Sequence, residues 1–479
     1  MEKITKNIFS LSFGQGISLV LNFAAFVFAA RYMSVHDFGT FGGLVAIVGI
    51  LSKIIDFGLG PIIFRESSKD NSSFTLLNSA MTIRLLLFAV VISGFNIIAY
   101  MLNYTFQEFV ISNTLFVSII LSTRMANFRE LLSTPFKVNL KMHYPMTLTI
   151  LDNVLFLIAV ILMPIFKGGI YYFVFAYVFS TVPGFIIQYV FLYKKFDYKI
   201  GFNLEKAIWL IKEASPLAGF ILLVIVYQQF DIVLLTWLKG EYAAGIYAAA
   251  TRLSMPLNII PTIIVTTVFP FLVKNLSDKK RTDEINALVY KVLFLVSFGL
   301  AIIISFKSQS IITLVFGDKY IEAAIPTYAI FWSQVFMFFN FFTLDLLTAH
   351  SKQFWNLIYS IILVVANTAL NFLWIPDYSS AGVGFSKLIA GFIGFVFMIY
   401  VLSKYNFSLN FINKDFILWT FVIAIVVFLL AYLPLIPYLI VSSLVILVSL
   451  KYLRYFDNVE LNMILRLING EKWLRLLKK

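Results

Sequence analysis

Eight ionisable side chains lie inside long apolar stretches of this sequence, where a charge is costly to place. They are Lys53, Asp56, Arg84, Asp152, Asp231, Arg252, Asp345 and Lys387. In such surroundings a cationic side chain can bind a phosphate group, and a carboxylate can take up a proton or a sodium ion. Alternatively, opposite charges can pair with one another and fix the register of the helices. The sequence leaves both interpretations open.

The stretches that carry these charges are long and apolar enough to cross a lipid bilayer. The 479-residue chain is 61% hydrophobic, and its mean hydropathy is +0.91. A spanning helix needs about 20 apolar residues. Stretches of this kind cover residues 8–30, 39–64, 74–101, 109–127, 146–166, 170–193, 214–238, 243–273, 288–306, 323–349, 357–375, 382–402, 416–433 and 437–450. Because apolar and polar residues do not alternate within them, the sequence predicts an all-α integral membrane protein with about 14 transmembrane helices rather than a β-barrel.

The first twelve predicted helices have the pattern of two six-helix pseudo-repeats. In each half a basic residue, an acid and a Gly-x-aromatic triplet open a long helix. The residues are Arg31, Asp37, Gly39 and Phe41 in the first half, and Lys239, Glu241, Gly245 and Tyr247 in the second. An offset of six helices, an even number, gives repeats of parallel topology. We predict an N-terminal six-helix bundle (1–193), a cytoplasmic linker (194–213), a C-terminal six-helix bundle (214–402), helices 13–14 (416–450) and a cytoplasmic amphipathic basic tail (451–479).

The distribution of lysine and arginine predicts the orientation in the membrane. Most of the 37 basic residues fall in loops on one side together with both termini, and the positive-inside rule makes that side cytoplasmic. The basic residues in the opposite, outer loops are Arg31, Lys167, Lys239, Lys307 and Lys319. The net charge of +13 is then explained by anchoring to anionic lipids, so nucleic acid is not an expected partner.

Catalysis has little support in the sequence. The chain has no cysteine, and its three histidines, His36, His143 and His350, lie near helix ends. These positions suggest neither a metal cluster nor a nucleophile–histidine arrangement, and the sequence contains no G-x-x-x-x-G-K-[ST] phosphate loop. The longest outer connection, 307–322, is short for the active site of a membrane polymerase or glycosyltransferase. We therefore predict that the chain is not an enzyme and holds no cofactor.

Two parallel repeats are typical of transporters, in which a cavity opens alternately to each side of the membrane. The intramembrane charges comprise as many cations as acids. Composition alone therefore does not decide between a carrier of anions and an exporter of organic cations.

Short motifs along nearly the whole chain resemble those of the polysaccharide biosynthesis flippases. They are Lys6-Asn7, Ala29-Ala30-Arg31-Tyr32-Met33, Asp37-Phe38-Gly39-Thr40-Phe41, Asp56-Phe57-Gly58-Leu59-Gly60, Pro216, Asp231, Gly245-Ile246-Tyr247, and Phe316-Gly317-Asp318-Lys319-Tyr320 with Ala323. In these motifs the chain is similar to the Wzx-type O-antigen and capsule flippases of the MOP superfamily. That superfamily also contains the MATE exporters and the MurJ-like lipid II flippases.

The resemblance implies a flippase of the bacterial inner membrane that serves lipopolysaccharide or capsule synthesis. Such a protein moves undecaprenyl-diphosphate-linked polysaccharide repeat units from the cytoplasmic to the periplasmic leaflet by alternating access. The expected partners are this lipid-linked oligosaccharide, membrane lipids, a polysaccharide polymerase and a chain-length regulator. The alternatives are a MATE-like multidrug or organic-cation antiporter and, less favoured, a membrane polymerase or glycosyltransferase.

The resemblance also implies roles for the intramembrane charges. The diphosphate would be neutralised by Arg31, Lys53, Arg84, Arg252 and Lys387, and coupling to H+ or Na+ would use Asp56, Asp231 or Asp345. Of these acids Asp231 is favoured, because Gln228 and Gln229 precede it and Arg252 is predicted at a similar depth. The lumens of this family are net cationic, whereas the count here is balanced unless some of the acids are paired.

Overall fold

The computed structural model describes residues 2–69, 74–125, 127–196, 202–408, 411–457, 460–461 and 463. No β-strand occurs among these residues, which confirms the predicted all-α class. The helices up to residue 196 are α1 (Glu2–Tyr32), α2 (Val35–Asp56), α3 (Leu59–Lys69), α4 (Thr75–Met101), α5 (Phe106–Leu121), α6 (Phe128–Leu132), α7 (Thr134–Val138), α8 (His143–Ile161), α9 (Ile170–Phe179) and α10 (Val182–Phe196). The helices that follow are α11 (Leu204–Ser254), α12 (Ile259–Lys274), α13 (Lys279–Phe316), α14 (Ala324–Ala349), α15 (Phe354–Lys404), α16 (Lys414–Leu430) and α17 (Leu435–Tyr452).

Ten helical stretches of the described chain are long and apolar enough to cross a membrane. The helices α11 and α15 each have 51 residues, about 75 Å of helix against roughly 30 Å of hydrocarbon. Each is kinked at one residue outside helical geometry, Gly240 (φ 82°) in α11 and Ser379 (φ 52°) in α15. These kinks lie at the predicted connections between helices 7 and 8 and between helices 11 and 12. The total of fourteen spans stays a prediction.

The described chain divides into two compact units. The first unit comprises Met1–Pro256, Val315–Ala323 and Val364–Ser386, so that α11 packs with the ten helices before it. The second comprises Leu257–Leu314, Ala324–Leu363 and Lys387–Lys479. The bundle boundaries given above on sequence grounds stay a prediction.

The closest packing in the first unit is between α2 and α11, and it depends on glycine. A Cβ atom added to Gly43 would lie 2.8 Å from the Thr236 hydroxyl, and one added to Gly42 would lie 3.1 Å from the Ile232 side chain. Both glycines are buried. Their lack of a side chain lets the two helices approach closely along their length.

The first turns of α11 occupy the region predicted as the linker and form part of the first unit. Ala207, Leu210 and Ala214 are buried in one hydrophobic cluster with Leu59 of α3 and Leu131 of α6. The region is therefore an ordered helix over 204–213. Residues 197–201 of the predicted linker lie outside the described residues.

Buried polar contacts join the last described segments to the rest of the second unit. The Tyr438 hydroxyl of α17 donates a hydrogen bond to the carbonyl of Ile303 at 3.0 Å, and the Tyr455 hydroxyl donates one to the carbonyl of Lys291 at 2.8 Å. Lys291 also forms a buried ion pair with Glu460, with Nζ and Oε2 2.8 Å apart. These contacts hold α17 and the segment after it against α13. Of the predicted amphipathic tail, residues 458–459, 462 and 464–479 lie outside the described residues.

Candidate functional site

The first charged contact in the interior of the first unit joins α2 to α4. Arg84 is 1% exposed and forms an ion pair with Asp56, the last residue of α2. A second guanidinium nitrogen of Arg84 donates to the carbonyl of Asn127 at 2.7 Å, and the Asn127 amide donates to the carbonyl of Ser52 at 2.8 Å. Arg84 and Asp56 thus form an internal staple, an ion pair that holds two helices together. This matches the second interpretation given above, in which opposite charges pair and fix the register of the helices.

A second buried ion pair joins α6 to α8. Arg129, which is fully buried, pairs with Asp152 and donates from Nε to the side-chain oxygen of Gln188 at 3.0 Å. Gly184 of α10 lies against the pair, because a Cβ atom at this position would lie 2.5 Å from a guanidinium nitrogen of Arg129. Any larger residue there would require the ion pair to shift. Asp152 is therefore paired with Arg129, a residue that we predicted to lie in a cytoplasmic loop.

A third arginine, Arg124, has neutral partners, and no carboxylate in the described part of the chain forms an ion pair with it. Its guanidinium lies 4.5 Å from the ring centre of Phe156 and 4.8 Å from that of Tyr177. It donates hydrogen bonds to the carbonyl of Tyr177 and to the side-chain oxygen of Asn153, the latter at 3.2 Å. Cation–π contacts and neutral acceptors satisfy the geometry of a guanidinium but leave its positive charge in place.

The fourth arginine, Arg252, is the candidate whose charge is most available. Its guanidinium lies 3.7 Å from the ring centre of Phe26, and one of its nitrogens lies 3.8 Å from the sulfur of Met255. In the described part of the chain, no carboxylate forms an ion pair with it. The side chain is half-buried, so it is not sealed within the protein.

Arg124 and Arg252 stand on one cluster of aromatic rings. Phe26 contacts Phe156 with ring centres 5.9 Å apart and Tyr177 with ring centres 6.2 Å apart. Because Asp56 and Asp152 are each matched by an arginine, the charges of Arg124 and Arg252 are an excess of positive charge around these rings. Even with Asp231 counted, the cations Lys53, Arg84, Arg124, Arg129 and Arg252 outnumber the acids Asp56, Asp152 and Asp231 in this unit, so its interior is net cationic, although the intramembrane charges seen in the sequence balance.

A separate polar cluster surrounds Asp231 of α11, whose side chain is fully buried. The carboxylate accepts hydrogen bonds from the amide of Asn371 at 2.8 Å, from the amide of Asn367, and from the Tyr247 hydroxyl at 3.2 Å. The Oδ1 atoms of both asparagines are buried and accept no hydrogen bond from any described residue. A carboxylate next to two such oxygens has the ligand chemistry of a small cation or proton site.

Comparison with known proteins gives the context for this geometry. Residues 4–276 match the family described as "Polysaccharide biosynthesis protein". The chain belongs to the polysaccharide biosynthesis protein family. No curated protein sequence matches it.

Solved structures show that this polysaccharide biosynthesis protein has the fold of the MOP superfamily. It is similar to the lipid II flippase MurJ in an inward closed conformation, with a TM-score of 0.74 and 14% identity over 92% of this chain and 98% of that one. It is also similar to a MATE multidrug transporter in an inward-facing conformation, with a TM-score of 0.61 and 12% identity over 83% and 98% of the two chains.

A third similar structure is a MOP superfamily transporter from Pyrococcus furiosus, whose reversed binding-pocket polarity suggests a different function for that protein. The TM-score is 0.55, with 12% identity over 84% of this chain and 97% of that one. At these identities the likenesses establish the fold alone.

The remaining predicted site residues of this polysaccharide biosynthesis protein are Arg31, Lys53, Lys387 and Asp345. Arg31 is exposed at the end of α1, where its Nε donates to the carbonyl of Val315 at 2.8 Å. Lys53 is half-buried in the first unit, and Lys387 and Asp345 are half-buried in the second. Their predicted roles in binding the diphosphate or the coupling ion stay predictions.

The positive charge of Lys53 affects the pKa of Glu130, a residue outside the predicted spans. Burial raises the pKa of the Glu130 carboxyl, but the positive charges of Lys137, Lys53 and Arg84 more than offset this effect and hold the pKa below its ordinary value. Glu130 also pairs with Lys137 at 3.0 Å. The end of α2 therefore lies in a surface network of opposite charges.

Sequence reasoning missed four residues that form these sites. It left Arg129 in the loop after the predicted span 109–127, it did not count Arg124 at the end of that span among the intramembrane charges, and it did not single out Asn367 and Asn371. The two asparagines had a usable signal, because amides four residues apart in an apolar helix share one face. The arginines had none, since a short helix that folds back into a bundle looks like an ordinary basic connection.

Proposed function

We propose that this protein is a flippase that moves undecaprenyl-diphosphate-linked oligosaccharide repeat units from the cytoplasmic to the periplasmic leaflet by alternating access. The family to which it belongs, and the lipid II flippase among the similar structures, support a lipid-linked substrate. In this proposal the protein lies in the bacterial inner membrane with both termini in the cytoplasm. Its products pass to a polysaccharide polymerase and a chain-length regulator, as for O-antigen units.

The observation that carries the proposal is the cationic aromatic cluster of the first unit. Arg252 lies on Phe26 with no carboxylate paired to it among the described residues, and Arg124 lies on the neighbouring rings. A guanidinium binds phosphate oxygens through two parallel N–H donors. We therefore assign Arg252 as the principal diphosphate-binding residue, with Arg124 as a source of positive charge behind it.

The chemistry of the cargo agrees with this arrangement. A diphosphate with several sugars cannot cross about 30 Å of hydrocarbon without a polar environment, whereas its polyprenyl chain is soluble in the membrane. A carrier must therefore neutralise the headgroup and leave the chain in lipid. Because the rings of the cluster are buried, the half-buried guanidinium of Arg252 is the group that we expect to meet the headgroup.

An exporter of organic cations is the alternative, and it has less support. A binding surface for organic cations requires carboxylates that such a cation can reach, but Asp56 and Asp152 are paired with Arg84 and Arg129. Asp231 is fully buried and accepts hydrogen bonds from Asn367, Asn371 and Tyr247. The excess of arginine in the first unit favours an anionic substrate.

Asp231 is our proposed coupling site. It is fully buried, and the two asparagine side chains next to it have unused oxygen atoms. A proton or a sodium ion bound there would neutralise the carboxylate, and its arrival or departure would change the packing of α11 against the 364–386 segment. The proposal includes no other cofactor and no enzymatic step.

The test is complementation of a strain that lacks its own polysaccharide-unit flippase, provided that the strain makes units this protein accepts. The wild-type chain is expected to restore surface polysaccharide, and Arg252→Ala is expected to abolish it at an unchanged protein level in the membrane. Arg252→Lys keeps the charge but loses the two-pronged contact, so partial export is expected.

The matched control is Arg65→Ala. Arg65 is an exposed arginine that pairs with Glu66 and Glu213 on the surface, and exposed pairs contribute little to stability. Export by Arg65→Ala should equal that of the wild type. Full export by Arg252→Ala would refute the assignment of Arg252, and export of organic cations by the wild type without export of polysaccharide would refute the proposed function.

A further inference from the structure

The two predicted repeats meet at a reciprocal pair of glycines on the predicted outer side of the first unit. A Cβ atom on Gly39 would overlap the carbonyl of Glu241 and lie 2.6 Å from the Gly245 nitrogen. A Cβ atom on Gly245 would overlap the carbonyl of Val35. Gly39 lies against Glu241, four residues before Gly245, and Gly245 lies against Val35, four residues before Gly39, so the two contacts are equivalent. The start of α2 and the part of α11 after Gly240 therefore form a tight, pseudo-symmetric crossing.

A separate segment, Val315–Ala323, is bonded to the end of α1 beside this crossing; we refer to it as the outer strap. The Lys319 Nζ donates to the carbonyl of Arg31 at 2.9 Å and to the carbonyl of Met33. In return, Arg31 donates to the carbonyl of Val315 at 2.8 Å. The last carbonyls of a helix lack partners within it and carry the negative end of its dipole. A lysine at this position is therefore held by both hydrogen bonds and charge.

The outer strap also contacts both helices of the crossing. Tyr320 is fully buried, and its ring packs edge-to-face on Phe38 of α2 with ring centres 5.9 Å apart. The hydroxyl of Tyr242, two residues after the kink in α11, donates to the carboxylate of Glu322 at 3.3 Å. One nine-residue segment thus joins the first repeat to the second at their outer ends.

We propose that the outer strap is a latch that holds the outer ends of the two repeats together and must release before a headgroup can leave on that side. The proposal rests on the proposed function, because alternating access requires an outer closure. Lys319 and Glu322 are exposed, so their bonds can exchange with water and break more easily than the buried pairs of the interior. The glycine crossing closes the outer side, and the polar bonds of the strap set how often it opens.

The test uses the fact that the chain has no cysteine. Ala248 is 5% exposed, and a Cβ atom on Gly42 would lie 3.4 Å from its methyl group. In Ala248→Cys, a membrane-impermeant maleimide applied from the outer side should therefore react slowly while the crossing is closed. Adding Lys319→Met removes the donor and leaves an unbranched side chain one heavy atom shorter. This change is expected to raise the labelling rate at least tenfold, the factor that corresponds to about one charge-assisted hydrogen bond.

The matched control is Lys167→Met, the same change at an exposed lysine of another predicted outer loop, and it should leave the labelling rate unchanged. Tyr242→Phe removes only a hydroxyl and should raise the rate by a smaller factor, about two- to fivefold. If Lys319→Met does not fold, the labelling rate of this milder variant tests the proposed latch. The proposal would be overturned if adding Tyr242→Phe to Ala248→Cys left the labelling rate unchanged, and if adding Lys319→Met, where that variant folds, also left it unchanged.

A second measurement separates the latch from the proposed function. In Tyr242→Cys/Glu322→Cys, a cleavable reagent that bridges the two thiols should stop polysaccharide export, and cleavage of the bridge should restore export. Faster labelling in Lys319→Met without any polysaccharide export by the wild type would preserve the latch and refute the flippase assignment. Export that continues in the bridged protein would refute the latch alone.

Discussion

The buried pair of Arg84 and Asp56 gives a prediction that separates a structural arginine from a substrate-binding one. Arg84→Met removes the cation and leaves Asp56, which is 7% exposed, as an unpaired buried carboxylate. Breaking a buried ion pair in this way costs about 3–5 kcal/mol of folding free energy. Asp56→Leu should cost a similar amount, because it leaves an unpaired guanidinium.

The double variant Asp56→Leu/Arg84→Met should be more stable than either single variant. It contains no unpaired charge, and the main remaining loss is the hydrogen bond from Arg84 to the Asn127 carbonyl, which is 2.7 Å long. That carbonyl keeps a second hydrogen bond from the Leu131 N–H at 3.1 Å, so the loss is one hydrogen bond from a charged donor, about 1.5–3 kcal/mol. The double-mutant cycle should therefore show a coupling of at least 2 kcal/mol between the two positions.

The assay is thermal unfolding of the purified protein in detergent, together with export in the complemented strain. We expect stability and export to fall together in the single variants and to recover together in the double variant. An Arg84→Met protein with wild-type stability and no export, unrescued by Asp56→Leu, would show that Arg84 lies on the transport path. That result would refute its assignment as a staple.

Three further predictions follow from the other buried groups. Asp231→Asn should abolish the dependence of transport on an ion gradient, measured in proteoliposomes, while Asp278→Asn at an exposed loop position should not; equal gradient dependence in both would contradict the coupling role. Gly184→Ala should destabilise the protein by about 2 kcal/mol or more in the same unfolding assay, because its Cβ would displace the ion pair at Asp152; a neutral effect would show that the pair can shift. Lys291→Met should cost about 3–5 kcal/mol and increase proteolysis after Tyr455, because its carboxylate partner in the C-terminal segment stays buried; unchanged proteolysis would contradict that anchoring.

The sequence predicts those parts of the fold that follow from the length of its apolar stretches. The break at Gly240 was predicted because a basic residue, a glycine and an acid interrupt the apolar run there. The fold-back of α6 into the first unit was not predictable. Its residues are polar enough for a loop, and their burial depends on the partners that Arg129 finds on α8 and α10.

Dependence on partners elsewhere in the chain also limits what the sequence can predict about the site. Arg84 and Arg252 have the same residue type and similar apolar surroundings in the sequence. They differ only in what lies opposite, a carboxylate for Arg84 and an aromatic ring for Arg252. Contacts between residues far apart in the chain determine that difference, and no spacing rule contains it. The apparent balance of intramembrane charges was misleading for the same reason, because Arg124 and Arg129 were left out.

The most direct test of the central claim is binding of undecaprenyl diphosphate to the purified full-length protein, with undecaprenol as the uncharged comparison. The wild type should bind the diphosphate more tightly than the alcohol, and Arg252→Gln should weaken diphosphate binding by about 10- to 100-fold, which corresponds to the loss of hydrogen bonds to a charged group. Binding of the alcohol should be unchanged in that variant. Equal affinity of wild type and Arg252→Gln for the diphosphate would contradict the claim that this cationic aromatic cluster receives the headgroup.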